Sequence, residues 1–114
     1  MPVFQWAVIM TNLNPAAGSE QKGLRPVLVV SNEEFNQAMP NVTVLPLTTT
    51  SRRLYPSEVL LPRGKAGQLH DSIIMAHQVR TISKQRLGDI LGYLSDSRLQ
   101  GEVRQAVKEH LDLD

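Results

Sequence analysis

The chain contains no cysteine, which excludes thiol catalysis, a disulfide frame and thiolate zinc sites. That absence is compatible with a reducing compartment, and the expected location is cytoplasmic. Aromatic residues make up only 4% of the 114, so Val, Leu and Ile must build the core. No apolar run approaches the ~20 residues that cross a bilayer, so no membrane partner is expected. The opening stretch Met1-Pro2-Val3-Phe4-Gln5-Trp6 has no basic segment followed by an apolar one, so a signal peptide is not expected either. A net charge of +1 does not announce a nucleic-acid binder; only a local basic cluster could do that. What is present is ordinary for a globular protein, with 41% hydrophobic and 20% charged residues. The length suits one domain, 1–114, around a single modest core.

Apolar patterning divides the chain into short elements. Trp6–Leu13 is apolar and β-rich and ends in the turn-forming Asn14-Pro15. Arg25–Ser31 is a continuous Val/Leu run, the pattern of a strand buried on both faces. The polar loop between them carries Gly18 and Gly23 near its ends, so the pair reads as a long-looped hairpin. Glu33–Ala38 suits a short helix capped by Ser31 or Asn32 and stopped before Pro40. Asn41–Thr50 returns to strand, with Pro46 predicting an edge or a bulge. Ser57–Leu61 and Asp71–His77 read as strands; Leu87–Leu94 suits strand or short helix, with Gly88 and Gly92 favouring strand. From Ser97 to Leu111, apolar residues Leu99, Val103, Ala106, Val107 and Leu111 recur at helical spacing, with Asp96 or Ser95 as cap. Five or six strands followed by one packed helix predict a mainly β fold, a compact bent sheet or small barrel.

Two residues stand out chemically before any comparison. Arg25 opens a core strand, where an untitratable guanidinium must be paired or used. Paired with a carboxylate such as Glu20 it would be purely structural; left unpaired it would be functional. Thr48 ends the third strand, and on its own is simply a β-branched residue in a strand. His70, His77 and His110 show no metal-ligand spacing with one another or with carboxylates, so no metal and no cofactor is expected.

The string Leu13-Asn-Pro-Ala-Ala-Gly-Ser-Glu-Gln-Lys-Gly-Leu-Arg-Pro-Val-Leu-Val29 closely resembles the signature loop and strand of the MazF/PemK toxins. Val44-Leu-Pro-Leu-Thr-Thr49 is similar to that family's strand ending in a catalytic Thr. Asp71-Ser-Ile-Ile-Met-Ala-His-Gln-Val-Arg-Thr-Ile-Ser-Lys-Gln-Arg-Leu87 is similar to its Asp-Ser…Gln-x-Arg-Thr-Ile-Asp segment. The three matches lie in the family's order. The resemblance implies an SH3-like barrel, a homodimer, and a toxin of a type II toxin–antitoxin system that cleaves single-stranded RNA without metal. It further implies attack by the ribose 2′-OH to leave a 2′,3′-cyclic phosphate, and inhibition by a cognate antitoxin. The catalytic Arg falls on Arg25 and the catalytic Thr on Thr48. Residues expected to flank the RNA are Asn14, Ser19, Glu20, Gln21, Lys22, Thr49, Arg52, Arg53, Gln78 and Arg80.

The residue types suit that chemistry. In-line attack gathers negative charge on the non-bridging phosphoryl oxygens, which a planar guanidinium can hold in pairs while a hydroxyl donates a further bond. Neither group is a base at neutral pH. His77 occupies a place that resembles the family's usual carboxylate, proposed as general base in the PemK branch. An imidazole there either keeps that role, with an inflection in the pH–rate profile that a His77→Ala variant would lose, or removes the position from catalysis. Met75 stands where that branch has an Arg, so the Arg's proposed acid role does not carry over. Trp6-Ala7 replaces the usual Gly-Asp or Gly-Glu, implying a changed dimer rim or a differently packed N-terminal strand, and Ser83 replaces an acidic residue.

Lys22, Arg52, Arg53, Arg63 and Lys65 form a basic set in predicted loops, either an RNA footprint or ordinary solvated charge. Tyr55 and Phe35 are the candidates for base stacking, with Phe35 better suited to the core. Two rival readings share the fold: a CcdB-like toxin that poisons gyrase by binding, and a catalytically inactive barrel that only binds RNA or a partner.

Overall fold

A computed structural model describes residues 2–114. Seven strands and two helices follow in the order β1 (Ala7–Asn12), β2 (Leu24–Val29), α1 (Glu33–Ala38), β3 (Asn41–Thr48), β4 (Glu58–Leu61), β5 (Ser72–Met75), β6 (Arg80–Ser83), β7 (Leu87–Tyr93) and α2 (Ser97–Leu111). All pairings are antiparallel, in the spatial order β4-β5-β3-β2-β1-β7, with β6 on the same edge of β3 as β5. The sheet curls into a barrel-like shape without closing, as the mainly β expectation required.

The aliphatic strands bury both faces. Val8, Leu28, Leu45, Leu47, Leu61 and Ile74 form one core with Leu99, Val103 and Ala106 of α2. Ala7, Ile9, Val27, Val29, Val42, Val44 and Ile82 form a second with Leu13, closed off by Phe4 and Leu87. Neighbours along a strand alternate between the two cores, which is why β2 reads as an unbroken apolar run. Burying Leu99 and Val103 contributes roughly 2 kcal/mol each toward holding α2 on the sheet. The helix starts where the Asp96 carboxylate accepts the Leu99 N–H at 3.1 Å, so Asp96, not Ser95, is its cap.

Three expectations need correction. Pro46 is neither at an edge nor in a bulge, for β3 is paired on both sides. It faces Val27 of β2, and on the other edge it falls between the Arg80 and Ile74 rungs, where β3 changes partner. A central proline is tolerated there because that stretch of ladder is already interrupted. His77 lies not in a strand but in a 3-10 turn, Ala76–Gln78, that separates β5 from β6. β6 itself was not read as a strand: four residues with one buried apolar side chain, Ile82, give too little alternation to register.

Candidate active site

The β2–β3 ladder brings the two chemically conspicuous residues to one opening. Its last rung is Val27–Pro46. Beyond it each strand keeps only its other neighbour, with Arg25 opposite Thr11 of β1 and Thr48 opposite Ile73 of β5. Arg25 and Thr48 therefore stand two residues past the last shared rung, at matching positions on either side of a mouth. Alternation directs both side chains to one face.

Arg25 is partly exposed, and its Nε donates to the Lys22 carbonyl at 2.9 Å. Among the described residues the ion pairs are Arg52–Glu58, Lys65–Asp96, His77–Glu58 and Arg98–Glu102. Arg25 is in none of them. Glu20, its candidate partner, instead accepts the Ala17 N–H at 2.6 Å. The guanidinium is thus aimed by a backbone carbonyl and left without a counter-charge. Thr48 is 8% exposed; its hydroxyl donates to Thr50 Oγ1 at 3.1 Å and accepts the Thr50 N–H at 3.3 Å. A cleft of about 240 Å³ lined by Thr49, Thr50, Ser51, Arg52, Leu60 and Asp71–Ile73 opens beside it.

The β1–β2 loop is built rather than slack. Gly23 (φ +82°) lets the chain turn back, so that its N–H meets Asn14 Oδ1 at 3.1 Å and its carbonyl takes the Leu13 N–H at 2.9 Å. Arg80 donates to the Leu13 carbonyl at 3.3 Å, Arg86 to the carbonyls of Asn12 and Asn14, and the Gln21 N–H to Gln78 Oε1 at 3.4 Å. Of the residues expected to flank RNA, Asn14, Glu20, Gln21, Gln78 and Arg80 thus form this scaffold. Ser19, Lys22, Thr49 and Arg53 are exposed.

Arg52 and His77 join a different group, centred on a residue the sequence reading passed over. The Glu58 carboxylate is fully buried and binds both terminal nitrogens of Arg52 at 2.8 and 2.9 Å. It also accepts the Tyr55 N–H at 2.7 Å and meets His77 Nε2 at 2.8 Å. Burial pushes this carboxyl up, but the hydrogen bonds from Arg52, His77 and Tyr55, with the guanidinium charge, outweigh it and bring it from 4.5 to about 2. A lone acid opening the apolar strand Glu58–Leu61, six residues after Arg52, was the available signal. His77 follows the Met75 end of β5, whereas Thr48 pairs with Ile73. Strand rise puts the two on the order of 10 Å apart. The His110 ring lies edge-on to His77, centroids 6.5 Å apart. Met75 is buried.

Fold and site define a class: a small antiparallel barrel-like protein in which a guanidinium outside every ion pair of the described residues and a hydroxyl stand at matching strand positions past the end of a shared ladder, suited to holding an anion. The chain belongs to the PemK-like, MazF-like toxins of type II toxin–antitoxin systems, whose family model matches residues 4–111. It is 36% identical over 107 residues to the endoribonuclease MazF of Staphylococcus saprophyticus, covering 93% of this chain and 88% of that protein. The Mycobacterium tuberculosis toxin MazF-mt6 superposes with a TM-score of 0.78 at 30% identity, covering 95% of this chain and 98% of that one. A mycobacterial endoribonuclease solved with its cognate antitoxin gives 0.79 at 27% identity, covering 100% and 98%.

Proposed function

We propose that this MazF-type toxin is an endoribonuclease that cuts single-stranded RNA at short sequence motifs, with Arg25 and Thr48 holding the scissile phosphate. The observation that carries the reading is the Arg25 guanidinium, aimed by the Lys22 carbonyl, free of any carboxylate among the described residues, and set across the mouth from Thr48. The RNA supplies its own nucleophile. The 2′ oxygen attacks phosphorus as its proton leaves, the bond from phosphorus to the 5′ oxygen breaks, and that oxygen takes up a proton. The products are a 2′,3′-cyclic phosphate and a 5′-hydroxyl. Arg25 offers paired N–H donors to the non-bridging oxygens, and the Thr48 hydroxyl, turning its proton from Thr50 Oγ1 to the phosphate, donates one more. Charge that develops during attack is thus met by a guanidinium already in place.

His77 is read as part of the Glu58 group and not as the base, because its Nε2 is engaged there and it lies beyond β5 from Thr48. Asn14, Glu20, Gln21, Gln78 and Arg80 shape the loop beside the RNA, and Ser19, Lys22, Thr49 and Arg53 line its path. The protein acts as a homodimer, is restrained in the cytoplasm by a cognate antitoxin, and works as one domain. The antitoxin complex of the mycobacterial relative supports that partner, and no helix among the described residues is long and apolar enough to cross a membrane.

The test is cleavage of a long RNA in the presence of EDTA. Intact chain should yield cyclic-phosphate ends, while Arg25→Ala and Thr48→Ala should each lose about 10²–10³-fold in kcat, the usual cost of a transition-state donor. Wild-type cleavage by either variant would overturn the assignment, and uncut RNA with the intact chain would favour an inactive binding barrel.

A further inference from the structure

We propose that Tyr55 is a stacking platform for a base flanking the cut, and that Glu58 is the positioning residue that holds it. The proposal rests on the endoribonuclease reading above and adds to it a source of sequence preference.

The chain has five aromatic residues of the Phe, Trp and Tyr types. Phe4, Trp6 and Phe35 are half-buried, and the Tyr93 hydroxyl is tied to the Val3 carbonyl at 2.7 Å. Tyr55 is 57% exposed. The Arg52 guanidinium carbon lies 4.0 Å from the centre of its ring, and more than half of the residue remains exposed. Both members of this stack are fixed to one buried anion. Glu58 holds Arg52 through its side chain and Tyr55 through its backbone N–H. The same segment begins at the Thr48 hydroxyl, which bonds the N–H and hydroxyl of Thr50. The ring is therefore anchored on the Glu58 side and on the side of the residue that contacts the phosphate.

An exposed aromatic ring fixed in advance is well suited to stack an unpaired base, because little freedom is lost on contact. A cation beneath the ring strengthens that surface further. Both terminal nitrogens of Arg52 are engaged by the Glu58 carboxylate, and Nη1 also donates to the Arg53 carbonyl at 3.1 Å. It serves the ring, and Arg53, exposed beside it, is left for phosphate.

The experiment is steady-state cleavage of a short single-stranded oligoribonucleotide carrying one mapped cut site, together with mapping of all cuts on a long RNA. Tyr55→Ala should raise KM by about ten- to hundred-fold, the range of losing one stacked base, and relax the preference at one flanking position. Tyr55→Phe keeps the ring and should restore both. Glu58→Gln should raise KM by a smaller factor, and the double variant Tyr55→Ala/Glu58→Gln should be no worse than Tyr55→Ala alone. Wild-type KM and cut pattern for Tyr55→Ala would overturn the platform, and multiplicative effects in the double variant would overturn the role of Glu58. Thr48→Ala, assayed alongside, separates the two levels: its activity bears on the endoribonuclease site, and the Tyr55 series on the platform alone.

Discussion

Replacing Glu58 with Gln should make the stability of this protein less dependent on acid. The wild-type carboxyl is held at about 2 in the fold against 4.5 for a free glutamate. A depression of that size corresponds to about 3 kcal/mol of stability. The sign follows from the direction. A group whose folded value is lowered stabilises fully above the unfolded value, and that contribution drains away as pH falls from about 4.5 toward 2. The carboxylate is fully buried, so solvent screening removes little of it. Gln keeps the shape and some hydrogen bonding, so the variant should be about 2–3 kcal/mol less stable at pH 7. By pH 3 the gap should have narrowed by more than half. Urea unfolding at pH 7, 5, 4 and 3, with matched slopes and a fixed protein concentration, measures it. Other carboxylates, including Glu33, which is likewise held below its ordinary value, titrate in both proteins and cancel in the difference. A gap of constant size from pH 7 to pH 3 would refute the reasoning.

His77→Ala should leave the shape of the pH–rate profile intact while lowering stability by about 1 kcal/mol, the usual worth of one hydrogen bond. An inflection that disappears with the imidazole would instead put His77 in the proton path. Gly67→Ala should destabilise the fold by about 3 kcal/mol or more, read from urea midpoints. Gly67 has φ +83°, and a Cβ there would lie 2.2 Å from the Leu91 carbonyl oxygen of β7. An alanine variant as stable as the parent would mean the turn before β5 is not seated on β7 as described.

The sequence by itself determined the elements whose periodicity is long or whose residues are chemically constrained. α2 was legible because 15 residues carry a helical stripe of Leu99, Val103 and Ala106 behind an Asp96 cap. β2 was legible because burial on both faces leaves no alternation to misread. The family motifs spanning Leu13–Val29 and Val44–Thr49 singled out Arg25 and Thr48 in the same way, as local strings of fixed chemistry.

Tertiary structure decided what depends on who stands beside whom. β6 is too short to announce itself and exists because β3 offers it an edge, and Pro46 is central because β3 changes partner there. The Glu58 group joins Arg52, Tyr55 and Glu58 of one segment to His77, 19 residues further on. A buried charge is tolerated only when its partners converge on it, and that convergence is a property of the packed sheet.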